Sequence, residues 1–190
     1  MESFDNELKP AESLQLIAEV IGRTKENIKV HGWLFLVWGW LIAAASILFF
    51  VLHQYTSFRL YFLPFPVLVA IGITLTIRSY TQQSQSAETY IAYYLKNLWL
   101  ALGLGFMVVV FASIMQAHAP FTYTMLLGGI GTLASGLALR FRPLVIGGIL
   151  FLLFSAGSVF VAENYAPLLQ ALAVLAGYLI PGYLLKHAKA

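Results

Sequence analysis

An all-α integral membrane protein is the fold class this sequence predicts: six transmembrane helices in three hairpins, behind an amphipathic cytoplasmic helix. Three observations predict it. Of 190 residues, 60% are hydrophobic and only 10% charged, whereas a soluble domain carries about a quarter charged residues. Uncharged apolar runs of bilayer-crossing length recur six times along the chain. The cations fall between those runs, and almost all on one side of the resulting topology.

The chain divides into a cytoplasmic N-terminal segment, residues 1–31, and a transmembrane domain, residues 32–190. Met1–Pro10 carries Glu2, Asp5 and Glu7, and the first apolar run begins only near Trp33. That is too late for a cleavable leader, so the first span is expected to stay in the mature protein. Within Ala11–Val30, Leu14, Ile17, Ile21 and Ile28 recur at helical spacing, with Glu12, Glu19, Arg23 and Glu26 between them. The polar face is mixed rather than strongly basic. A helix packing on its own bundle or on another copy therefore fits better than one lying on the membrane.

The spans are read at about 33–52, 60–77, 98–115, 123–139, 144–162 and 167–185. Phe62-Leu63-Pro64-Phe65-Pro66 gives the second an irregular start. Ser79–Asn97 is the one longer link. Its opening, Thr81-Gln82-Gln83-Ser84-Gln85-Ser86, reads as a loop, and Glu88–Asn97 as a helical extension of the third span. Arg140-Phe141-Arg142-Pro143 joins the fourth and fifth runs as a basic turn.

With the N-terminus inside, the inner segments hold ten of the eleven Lys and Arg, and the outer loops hold only Arg59. That is the bias of the positive-inside rule, with both termini cytoplasmic. Arg78, Lys96, Arg140, Arg142 and Lys186 act as topology anchors on this reading. The same scatter argues against nucleic acid as a partner, despite a pI of about 9.2.

A weak repeat supports the hairpins. Trp33-Leu34 with Gly39 is echoed by Trp99-Leu100 with Gly105. Pro66, Pro120 and Pro167 sit near the outer starts of the even spans, and Arg78, Arg140 and Lys186 at their inner ends. In this plan, with Gly147-Gly148-Ile149, Ala166-Pro167 and Gly177 with Gly182, the chain resembles the small bacterial acid-resistance membrane proteins of the HdeD type. It is equally similar to other small six-span bacterial inner-membrane proteins of unknown function. The resemblance is one of pattern over Trp33–Leu185 and carries no functional residue across.

Chemistry is scarce. The absence of cysteine excludes disulfides and thiolate chemistry. No span holds an ionisable group in its middle, the feature that marks pumps and voltage sensors. Ser46, Ser113, Ser135, Ser155 and Ser158 have no histidine at similar depth to make a nucleophile of them. No catalytic residue, cofactor site or metal site follows from the sequence. His53, His118 and Glu163 fall at the outer span ends. Either they converge as a zinc-binding or acid-titrating cluster, or each stands alone among headgroups, which is the commoner situation.

The small residues are more informative. Gly128, Thr132 and Gly136 recur every four residues beside a second stripe of Gly131 and Ser135. That spacing lets helix backbones approach closely, so a packing role is expected. Pro181, within Gly177-Tyr178-Leu179-Ile180-Pro181-Gly182, either kinks the sixth span or closes it, and its place near Lys186 favours closure. Trp38 and Trp40 lie deeper than an interfacial belt requires and are expected in the core rather than around an amphiphile or cation.

The functional expectation is a non-enzymatic protein of the inner (plasma) membrane. It would act through assembly with itself or with a membrane protein partner, in envelope stress. The rival is a passive channel or carrier for a small neutral or amphiphilic solute, which needs a polar-lined path between spans.

Overall fold

The computed structural model describes the backbone of residues 10–82 and 90–187, and side chains over residues 32–81 and 90–187. It is helical apart from short connections, with no strand among the described residues. Six helices are long and apolar enough to cross a bilayer: Gly32–Tyr55, Pro64–Thr81, Tyr90–Met115, Phe121–Ala138, Arg142–Phe160 and Glu163–His187. This is the architecture of a multi-pass helical membrane protein, in which each span satisfies its own backbone polar groups.

Helix α1 runs from Pro10 to Tyr55, 46 residues without interruption. At 1.5 Å per residue it is roughly 70 Å long, more than twice the hydrocarbon thickness of a bilayer. The helix runs on without a break across residues 31 and 32, where the N-terminal segment is expected to meet the first span. No proline stops the helix there, and Gly32 alone costs only about 1 kcal/mol of helix propensity. The amphipathic face of Leu14, Ile17, Ile21 and Ile28 lies outside the described side chains, as do Gln83–Ser86, Lys9 and Lys189.

Helix α2 spans Pro64–Gln82. It starts four residues later than the hydropathy suggested, because Leu60–Leu63 form a turn closed by Leu63 N–H on the Leu60 carbonyl at 3.0 Å. Pro64 and Pro66 occupy its first turn, where a missing N–H breaks no helical bond. Helix α3, Tyr90–Met115, begins eight residues before Leu98 and so includes the described part of the expected extension. Helix α4 is Phe121–Ala138 and α5 is Arg142–Gly157. A short 3-10 turn, Ser158–Phe160, ends the fifth span, and a second, Glu163–Tyr165, opens the last.

After that turn the last span is built from α6 (Ala166–Val174), a π-helical turn (Leu175–Leu179) and α7 (Ile180–His187). Proline lacks the N–H that would reach the carbonyl four residues back, and its ring crowds that carbonyl. Widening the helix just ahead of Pro181 relieves the conflict, with Ile180 N–H bonding to the Leu175 carbonyl five residues back. The helix then continues to His187. Pro181 does not close the span, as its position near Lys186 had suggested.

Helices α1, α4, α5 and the last span form the packed centre, with Phe35, Phe121, Met125, Leu144, Phe151 and Leu179 buried in it. Helix α2 packs chiefly on α1, and α3 chiefly on α4. Both are flank helices: 6% of the most apolar window of each is buried, against 50% for the last span.

Glycine sets the distances in the centre. A Cβ on Gly136 would lie 2.6 Å from Val145 N, and one on Gly148 would lie 2.5 Å from Leu133 N, so α4 and α5 touch backbone to backbone. A Cβ on Gly177 would lie 2.7 Å from the Gly147 carbonyl oxygen, and one on Gly147 would overlap the Gly177 oxygen.

Candidate functional site

The connections α1–α2, α3–α4 and α5–α6 lie at one end of the bundle, held together by contacts between them. Glu163 accepts a hydrogen bond from Ala119 N–H through Oε1 at 2.7 Å. The Phe50 and Tyr165 rings approach to 6.2 Å, and Phe49 meets Phe121 at 5.2 Å. The other end carries Arg78, Lys96, the Arg140–Arg142 turn and Lys186. There Lys96 Nζ lies 5.9 Å from the Tyr80 ring, and Lys186 Nζ 5.9 Å from Trp33.

His53, His118 and Glu163 share the first end but form no metal centre. Among the described residues no group of three His, Asp or Glu side chains is placed to hold an ion. His53 stacks on Phe49 at 5.9 Å and meets Tyr61 edge-on at 4.8 Å. Glu163 is engaged by the backbone beside His118, and His118 itself is exposed. The carboxylate thus ties the α3–α4 loop to the last span's start. Local chain geometry, invisible to spacing alone, gave His53 and Glu163 separate partners and left His118 exposed.

Beneath that rim lies a cluster of uncharged polar side chains that sequence reasoning did not single out. Thr122 and Thr124 come from the first turn of α4, Ser155 from the end of α5, Ser158 from the 3-10 turn that follows it, and Gln170 from α6. Ser158 donates to the Ser155 carbonyl at 2.6 Å, so its single proton is committed. Thr122 must then donate to Ser158 Oγ across 2.8 Å. Ser155 donates to the Thr122 carbonyl at 2.8 Å, closing a loop between α4 and α5.

Thr124 lies 2.9 Å from Gln170 Oε1 and 3.0 Å from the Phe121 carbonyl, with one proton to give. Gln170 is only 5% exposed, and just one end of its amide meets a partner among the described residues. The other end is a hydrogen-bonding group suited to water or another neutral polar atom. The signal was present in the sequence: Gln170 is an amide well inside an apolar run. A search for charge passes over it.

The two small-residue stripes of α4 face different neighbours. A Cβ on Gly128 would meet Phe151 of α5 at 3.3 Å, and Gly136 backs onto Val145 of the same helix. Gly131 instead faces Leu102 and Trp99 of α3, and Ser135 accepts from Trp99 Nε1 at 3.1 Å. Thr132 lies fully buried and turns its hydroxyl back to the Gly128 carbonyl at 2.7 Å.

The tryptophans are also divided. Trp38 joins α1 to α2 through Thr76 Oγ1 at 2.9 Å. Trp40 is half exposed and donates to Tyr183 Oη at 3.1 Å. Trp99 and Trp33, matched in the weak repeat, have unlike surroundings. Trp99 packs edge-on to Phe35 at 5.9 Å and to Tyr178 at 6.1 Å, whereas Trp33 is 50% exposed.

Two concavities among the described residues are open grooves with apolar linings. One follows α4 and α5 at the arginine end; the other runs along Leu150, Leu153, Phe154, Gly157, Val161 and Leu169. No family model, curated protein or solved structure matches this chain.

Proposed function

We propose that the chain is a non-enzymatic protein of the inner (plasma) membrane, with both termini cytoplasmic, that works by assembling with further copies of itself in envelope stress. The orientation rests on the distribution of Lys and Arg, ten of eleven on one side. The assembly reading rests on one structural observation, the bareness of α3. This helix is attached chiefly through α4 and exposes Leu100, Leu104, Met107, Val108 and Phe111. Gly103, in the middle of that surface, has nothing within 4 Å of where its Cβ would be. A glycine in a helix costs about 1 kcal/mol relative to alanine. Elsewhere in the bundle most glycines meet a neighbour, so this one fits a face that closes against a second copy.

The native chain lacks cysteine, so a single introduced one reports without background. Gly103→Cys and Met107→Cys are expected to give disulfide-linked dimers in native membranes under mild oxidation, while Ile146→Cys on α5 is not. A monomeric mass in nanodiscs together with no Gly103→Cys dimer would sink the assembly reading. The rival reading, a passive channel or carrier, requires a polar-lined path, and the two apolar grooves lend it no support.

A further inference from the structure

The α4–α5 turn carries more than topology requires. Its groove is lined by Gly136, Leu137, Arg140, Arg142, Val145 and Ile146. Leu137 and Ile146 are 61% and 59% exposed, so the groove has apolar walls open to the surroundings. Gly136 backs onto Val145, which brings the two helices close enough to floor it with backbone. Arg140 and Arg142, both exposed, are among the residues that line it. Among residues whose side chains are described, Glu163 is the only carboxylate, and it lies at the opposite end of the bundle. Neither arginine has an ion-pair partner there.

The turn itself fixes this arrangement. Phe141 N–H bonds to the Gly136 carbonyl at 2.9 Å, and Arg140 takes the left-handed conformation with φ 51. This is the helix-ending motif in which glycine is the usual residue. Arg140 accepts the conformational cost, and it and Arg142 two residues on stand at the edge of the groove. An open apolar groove edged by two arginines, neither paired with a carboxylate among the described residues, is complementary to one chemistry: an acyl chain attached to a phosphodiester. Arginine's fork binds phosphate oxygens in pairs, and its plane remains charged at any physiological pH.

We propose that the α4–α5 groove is a binding site for an anionic diacyl phospholipid, with the phosphate held by Arg140 and Arg142 and an acyl chain laid along Leu137, Val145 and Ile146. The site is independent of the assembly reading. It requires only that this turn lie at a membrane surface, where basic pockets between helices take up anionic headgroups.

The full chain, delipidated in neutral detergent, is titrated with phosphatidylglycerol, phosphatidylcholine or inorganic phosphate, and bound lipid is counted by native mass spectrometry. One phosphatidylglycerol is expected to be retained at a concentration at least tenfold below that for phosphatidylcholine. The pair Arg140→Gln and Arg142→Gln should abolish that preference. Arg140→Lys with Arg142→Lys keeps charge, topology and folding, and should lose part of it. Ile146→Trp fills the groove and should weaken binding with both arginines present. Arg78→Gln removes a cation from α2 and should change nothing. Equal retention of the two lipids would overturn the proposal, as would a loss in Arg78→Gln matching that of the glutamine pair. Inorganic phosphate competing as well as the lipid would leave the groove without a role and overturn it too.

Discussion

At the scale of the residue, this chain uses glycine in an unusual division of labour. It has fifteen glycines, and none of those described adopts a positive φ. The two left-handed helix ends fall instead to Ala117, with φ 57, and Arg140, with φ 51. Glycine here is a spacer between helices rather than a turn residue. Gly147→Ala should therefore destabilise the bundle by about 1–3 kcal/mol, because its methyl overlaps the Gly177 carbonyl and overpacked methyl groups cost that much. Gly157→Ala, where nothing lies within 4 Å, should be neutral or stabilising by up to about 1 kcal/mol. Unfolding by SDS in mixed micelles measures both. Equal losses at the two positions would show that the glycines matter for the backbone and not for the contact.

At the scale of the element, hydropathy alone located all six spans but not their true ends. Apolar length is visible in sequence because hydrocarbon demands it; where a helix starts is decided by turn bonds such as Leu63 to Leu60, which no hydropathy average registers. The Pro181 region shows the same limit. Its sequence contains a helix breaker near a cation, but the last span absorbs it in a π turn, at the point where Gly147 of α5 packs against it. The polar cluster around Gln170 was hidden for another reason: its members come from α4, α5 and α6, and only their assembly makes them neighbours. For α1, the absence of any stop signal near Gly32 yields a rod. Spin labels at Glu19→Cys and Trp33→Cys, 14 residues apart, should give one narrow distance near 21 Å by pulsed electron resonance, at about 1.5 Å per residue. A broad or bimodal distribution would mean that a joint exists.

At the scale of the whole molecule, two ends of opposite chemistry emerge. One is closed by Glu163, aromatic rings and backbone; the other presents Arg140, Arg142 and Lys186. On the proposed orientation a membrane-impermeant maleimide added outside intact cells should label Asn164→Cys and leave Phe141→Cys untouched until the membrane is broken. The reverse pattern would invert the protein in its membrane and remove the basis for cytoplasmic termini. The uninterrupted α1 has a mechanical consequence. Its 24-residue apolar part is welded to the centre where Gly39 meets Leu179 and Tyr178. The 22 residues from Pro10 to His31 extend the same axis as a lever arm of roughly 33 Å. With no break in the helix between arm and weld, a pull on the arm is carried along the helix toward Gly39. A tilt of about 10° about Gly32 sweeps the tip by roughly 6 Å on that length. The same rotation bears directly on the π turn, so whatever grips the arm has leverage on the last span.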